Sequence, residues 1–138
     1  MQILISDDDP MLRQFVALRL RDIATIHQAS DGPETLTELK RSSIDLLLLD
    51  WAMPVLNGLE VLKIIRSRGY QLPVIMVTAE CGRTRVLEAL QAGASDYLVK
   101  PFESATLRAK VARFCPPPGH EAAKQQRERL EPTSWTQK

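Results

Sequence analysis

Ile44-Asp45-Leu46-Leu47-Leu48-Leu49-Asp50 is a short apolar run closed by a single acid. From Leu46 to Leu49 it is apolar without alternation. A strand with one wetted face alternates, so residues 44–49 are expected to form a strand buried on both faces, as in a parallel sheet. Residues 73–77 repeat the pattern with β-branched Val74, Ile75 and Val77. Ile3-Leu4-Ile5 is a third such run, and it stops before Asp7. Residues 24–29 and 97–99 read as two weaker strands.

Segments of helical period lie between these runs. Asp9-Pro10 pairs a capping carboxylate with proline at the first helical position, and Leu12, Val16 and Leu20 then recur at every fourth residue. Asp31-Gly32-Pro33 has turn and cap chemistry, and residues 34–41 follow as a helix with Leu36 and Leu39 inward. Met53-Pro54 and Asn57-Gly58 mark a loop before a helix over 59–68, with Leu62 and Ile65 on one face. A helix over 83–92 stops at Gly93, and the last, over 103–114, turns Leu107, Val111 and Phe114 inward. Strict alternation of strands and helices predicts parallel strands joined by right-handed crossovers, a three-layer α/β sandwich. The pattern leaves the strand order open.

Composition fits one soluble domain: of 138 residues, 44% are hydrophobic and 25% charged. A net charge of +1 gives no bulk attraction to nucleic acid or anionic lipid. The two cysteines, Cys81 and Cys115, lack metal-ligand spacing and are expected to be reduced thiols. No basic leader precedes a long apolar stretch, and no run approaches the ~18 residues of a membrane span, so a cytoplasmic protein is expected. Pro116-Pro117-Pro118-Gly119 is expected to close a domain over residues 1–115. Residues 116–138 are polar, of mixed charge, and read as a flexible tail.

In an open parallel sheet, chemistry gathers outside the carboxyl ends of the strands. Asp7, Asp8 and Asp9 follow the first strand, Asp50 the third, Thr78 and Glu80 the fourth, and Lys100 the fifth. Each alone has an ordinary use: Asp9 as a cap, Asp50 as a turn residue, Thr78 as a cap hydroxyl, Lys100 as a solvated charge, Tyr97 as filler. Their joint placement is more specific. Crowded carboxylates require a positive neighbour, and Lys100 with a hard divalent cation such as Mg²⁺ would supply it. A metal, a lysine and a hydroxyl around one fixed aspartate suit phosphoryl transfer.

These motifs, in order, are Asp7-Asp8-Asp9-Pro10, Leu49-Asp50-Trp51-Ala52-Met53-Pro54 with Asn57-Gly58, Val77-Thr78-Ala79-Glu80, Gly93-Ala94-Ser95-Asp96-Tyr97 and Lys100-Pro101-Phe102. Together they resemble the receiver domain of bacterial response regulators, especially its single-domain, CheY-like members. The resemblance, and no pattern in the residues, implies the flavodoxin-like (βα)5 fold with strand order 2-1-3-4-5. It implies Asp50 as phosphoacceptor and Asp7, Asp8, Asp50 and the Ala52 carbonyl as Mg²⁺ ligands. It implies Thr78 and Lys100 as phosphoryl-binding groups, Thr78 and Tyr97 as the switch, and a cis Lys100–Pro101 bond. The implied function is a two-component switch, not a turnover enzyme, that catalyses its own phosphorylation and dephosphorylation. The implied donor is a sensor histidine kinase or a histidine phosphotransfer protein. A protein target would read the outer face of the fourth helix, fifth strand and fifth helix, in a monomer or a weak phosphorylation-dependent dimer. Motor switching, relay, phosphate sink and enzyme regulation stay open as outputs.

Some residues depart from the family or add to it. Ser6 replaces an apolar strand residue, with a local packing effect expected. Ala52 cannot reach a water, so Glu80 is expected to tune the acyl phosphate lifetime. Trp51 is expected to face solvent, and Arg83, Arg85, Arg108, Lys110 and Arg113 to form a docking face for an acidic segment. A Mg²⁺-dependent aspartyl-phosphate phosphatase is the enzymatic alternative, but Ala52 stands where its general acid would be. Three acids after the first strand disfavour an FMN module. A DNA-binding factor would need a further domain beyond residue 115.

Overall fold

The computed structural model describes residues 1–80 and 82–115. It runs β1 (Gln2–Ser6), α1 (Pro10–Leu20), β2 (Thr25–Ala29), α2 (Gly32–Arg41), β3 (Leu46–Asp50), α3 (Gly58–Ser67), β4 (Val74–Thr78), α4 (Arg83–Gln91), β5 (Asp96–Val99) and α5 (Ser104–Ala112). The sheet order is β2-β1-β3-β4-β5, every pair parallel. This is the flavodoxin-like order that the resemblance implied.

The unalternated leucines explain the layers. Leu47 and Leu49 pack in one core with Leu39 of α2, Val61, Leu62 and Ile65 of α3, and Ala89 of α4. Leu46 and Leu48 point the other way, into a core with Val16 and Leu20 of α1 and Leu107 and Val111 of α5. All four leucines of β3 are fully buried. At roughly 1.5–3 kcal/mol each, they are a main reason this strand sits mid-sheet.

Strands β3 and β4 extend one residue beyond the sequence reading, so Asp50 and Thr78 are themselves strand residues. Asp50 pairs in register with Val77, and Trp51 N–H donates to Val77 O at 2.8 Å. The expected caps form at Asp9, which accepts from Met11 N–H, and at Asp31, which accepts from Glu34 N–H; Asn57, read only as part of a loop, also caps, in a capping box with Glu60. Helix α5 ends at Ala112, before Phe114.

Polar burial on α2 was not foreseen. Thr35 and Glu38 point inward with Leu39, beside the partly buried Leu36. The Thr35 and Ser6 hydroxyls lie 2.7 Å apart and share a hydrogen bond, so buried Ser6 has a partner rather than only a packing role. Burial raises the Glu38 carboxyl's pKa, but hydrogen bonds from Ser42, Arg41 and His27 outweigh it and hold the group below its usual range. The Lys100–Pro101 bond is cis. Cys115 is a free, half-buried thiol. The expectations for Cys81 and for the tail at 116–138 lie outside the described residues. No helix among the described residues is long and apolar enough to cross a membrane.

Candidate functional site

Because all strands run parallel, their carboxyl ends meet at one edge. The β1–α1 turn places Asp7 there, fully buried, with Asp8 beside it in solvent. Asp7 Oδ1 accepts the Asp9 N–H at 2.9 Å, and Arg13 of α1 donates to the Asp7 carbonyl at 2.6 Å. Arg13 had no signal in the sequence beyond its place in the helix. From β5, Lys100 Nζ reaches Asp7 Oδ2 at 2.8 Å and Asp50 Oδ1 at 3.2 Å. The lysine therefore bridges two buried carboxylates from different strands.

Asp50 is 3% exposed. Burial, and next the charge of Asp7, push its carboxyl up to about 6; Lys100 and the Ala52 N–H only partly offset them. Lys100 is raised as well: burial acts against its charge, but the bond to Asp7 and the charges of Asp50 and Asp7 outweigh it. Carboxylate oxygens of Asp7, Asp8 and Asp50 lie within 4.8 Å of one another. A hard-oxygen donor set, with a carboxylate that burial and crowding disfavour, fits a small divalent cation such as Mg²⁺.

The start of α3 closes in from behind. Gly58 N–H donates to Trp51 O at 2.7 Å, and a Cβ on Gly58 would meet the Asp50 carbonyl and Trp51 Cα. The sequence marked Asn57-Gly58 only as a loop; the glycine is there for space. Thr78, also buried, accepts the Glu80 N–H on its hydroxyl oxygen at 3.0 Å, which leaves its proton to donate. Tyr97 is half-buried against the α2-α3-α4 core, with Lys110 Nζ 4.9 Å above its ring.

Trp51 does not face solvent. It is 7% exposed, and the Arg85 guanidinium lies 4.5 Å over its ring. The expected basic face is also largely neutralised from within. Arg85 pairs with Glu80, and Lys110 and Arg113 both pair with buried Asp96 at 3.0 and 2.6 Å. Arg108 turns toward α1, donating to Arg19 O and to Asp22. It belongs to the α1–α5 seam, not to the α4 side.

Residues 3–112 match the family model described as the response regulator receiver domain. The chain belongs to that family. This receiver is 43% identical over 118 residues to chemotaxis protein CheY-3 of Vibrio cholerae serotype O1, covering 83% of the chain and 91% of the relative. It is 39% identical over 118 residues to chemotaxis protein CheY of Pseudomonas aeruginosa, covering 83% of the chain and 95% of the relative. Among solved structures it superposes on chemotaxis protein CheY4 of Vibrio cholerae with a TM-score of 0.78 at 33% identity, covering 82% of the chain and 97% of that one. The receiver domain of the Francisella response regulator 1452 also gives 0.78, at 32% identity, with 82% and 94% covered. The receiver is thus a CheY-like two-component signalling switch.

Proposed function

We propose that this receiver, over residues 1–115, accepts a phosphoryl group on Asp50 from a phosphohistidine of a sensor kinase or histidine phosphotransfer protein. The observation that carries the reading is a nearly buried carboxylate at the end of β3, held by Lys100 and crowded by Asp7. Asp50 is the only one of the three clustered acids that lies within a strand, paired in register with Val77 of β4.

An Asp50 oxygen attacks phosphorus, the phosphorus–nitrogen bond breaks, and the imidazole leaves. Lys100 is placed to pair with the transferred oxygens as it leaves Asp50, while its bond to Asp7 keeps it in reach. Asp7, Asp8, Asp50 and the Ala52 carbonyl would hold Mg²⁺, which when bound offsets the charge on the transferred group. The acyl phosphate carries about two negative charges, to which the free Thr78 proton donates. Thr78 shifts toward it, Tyr97 takes the vacated space, and the α4-β5-α5 face changes shape for a protein target. Ala52 offers no acid or base two residues past Asp50, so the group stays until water removes it, as in a switch rather than a turnover enzyme.

Similarity to relatives named as chemotaxis proteins supports a motility pathway and a cytoplasmic site of action. The test is incubation with acetyl phosphate and Mg²⁺ followed by intact mass. A gain of about 80 Da that Asp50→Asn abolishes is expected. No gain, or a gain that survives Asp50→Asn, overturns the reading.

A further inference from the structure

Arg85 stands in the first turn of α4 and touches two other segments. Its guanidinium carbon is 4.5 Å above the Trp51 ring, and its Nε donates to Glu80 Oε2 at 3.1 Å. Trp51 directly follows Asp50. Glu80 lies two residues beyond Thr78 and donates its N–H to the Thr78 hydroxyl. One side chain therefore ties the ends of two neighbouring central strands, β3 and β4, to the start of a helix.

That tie matters because α4 is otherwise thinly held. Of its nine residues only Ala89 is buried, and its N-cap, Gly82, makes no side-chain bond. By contrast α3 buries Val61, Leu62 and Ile65 and carries a full capping box. The Glu80 carboxylate is mostly exposed, at 64%, so without Arg85 nothing else among the described contacts would hold it. The Arg85 cation is matched to both neighbours: a planar guanidinium stacks on an indole while its edge donates to a carboxylate.

We infer that Arg85 is a positioning residue that pins Glu80 and the start of α4 against Trp51, and so sets how long the phosphoryl group stays on Asp50. The inference rests on Asp50 being the phosphoacceptor. In the step concerned, water attacks phosphorus and the bond from phosphorus to the Asp50 oxygen breaks. Inorganic phosphate and the free carboxylate form, and the proton of the water goes to solvent or phosphate. Pinned, Glu80 keeps its N–H on Thr78 and so orients the hydroxyl proton toward the phosphoryl oxygens. Released, Glu80 loosens that N–H, the Thr78 proton loses its orientation, and water reaches phosphorus more easily. The same tie couples α4 to the state of Asp50, so a partner that binds α4 and draws Arg85 off Glu80 would shorten the phosphoryl lifetime.

The test uses the full chain with Trp135→Phe, which leaves Trp51 as its only tryptophan. First, acrylamide quenching of Trp51 is measured in EDTA, with no metal or phosphate. Arg85→Ala should raise quenching about two-fold, and Arg85→Lys should restore it only in part, since an ammonium keeps the charge but cannot stack on the indole and pair with Glu80 at once. Second, protein loaded with acetyl phosphate and Mg²⁺ is desalted, and the loss of the mass gain is followed. Arg85→Ala should speed loss about three-fold or more, Arg85→Lys should fall between it and the parent, and Glu80→Gln should speed it too. The double variant Arg85→Ala with Glu80→Gln should lose phosphate no faster than the quicker single variant, because both remove one device. Arg85→Gln, which keeps the side-chain length, stands in if Arg85→Ala fails to fold. Unchanged quenching, an unchanged rate of loss, or effects that multiply in the double variant each overturn the inference. Absence of any phosphoryl uptake by the parent, or uptake by Asp50→Asn, instead overturns the phosphoacceptor reading on which it rests.

Discussion

Replacing Gly58 by alanine should damage both the fold and the chemistry through one contact. A new Cβ would press on the Asp50 carbonyl oxygen, with Trp51 Cα and the Asp50 carbonyl carbon each 2.9 Å away. These are backbone atoms at the end of a fully buried strand, so none can rotate aside. Relief requires moving the start of α3 away from β3 by roughly 1 Å, which also stretches the 2.7 Å bond from Gly58 N–H to Trp51 O. Overpacking of this kind costs about 1–3 kcal/mol. The weakened hydrogen bond adds about 0.5–1.5 kcal/mol. Alanine's better helix propensity returns less than about 1 kcal/mol at a first-turn position. The net loss is about 2–3 kcal/mol, a fall in Tm on the order of 10 °C for a domain of this size. Urea unfolding followed by tryptophan emission measures the first effect. Acetyl phosphate uptake by intact mass measures the second, expected to slow about ten-fold or more because Asp50 is displaced from Lys100. If Gly58→Ala unfolds within about 0.5 kcal/mol of the parent, the close approach of α3 to Asp50 is not as described. If its stability falls but uptake keeps its rate, the contact does not position Asp50.

Three other perturbations follow from the same structure. In metal-free buffer, Asp50 holds its proton up to about 6, against about 3.9 in an unfolded chain. The folded form binds the proton more tightly, so this group's contribution is fully present below about pH 4 and is lost as pH rises to about 6. Asp50→Asn should therefore gain about 2–3 kcal/mol over the parent above about pH 6, and that advantage should shrink toward pH 4 in paired urea titrations; a difference that does not vary with pH counts against it. Asp96→Asn should cost about 1–2 kcal/mol, because it frees Lys110 and Arg113 from an acid that is 8% exposed. It should also tighten binding of an acidic model peptide at low salt, read by fluorescence anisotropy; unchanged affinity would show that these cations do not face a partner. Arg66 donates to the carbonyls of Gly93, Tyr70 and Leu72, so Arg66→Met should cost about 2–4 kcal/mol in urea unfolding by unfastening α3 from the loops before β4 and β5; a loss under about 0.5 kcal/mol would mean water replaces those bonds.

What could be read in advance was what is local. Burial on both faces of β3 shows in Leu46 to Leu49 because the period of side chains along a strand is a property of the strand alone. Asp9-Pro10 and Asp31-Gly32-Pro33 announce helix starts because a cap acts within one turn. Alternation of strands and helices forces a parallel sheet, and a parallel sheet sends Asp7, Asp50, Thr78 and Lys100 to one edge whatever the strand order. The candidate site could thus be assembled from positions, before any contact was known.

Contacts between distant segments were left to tertiary structure, since no period or cap encodes which surfaces meet. Lys100 and Asp7 are 93 residues apart, and Arg108 and Asp22 are 86. The first pairing agrees with the strand-end logic; the second removes Arg108 from the face where charge alone had put it. Trp51 is buried because it joins the core on the α2-α3-α4 side, with Arg85 of α4 over its ring, and Ser6 is satisfied because α2 turns Thr35 inward. A residue's own chemistry sets what it can bond to, and the chain's packing decides which of those bonds form.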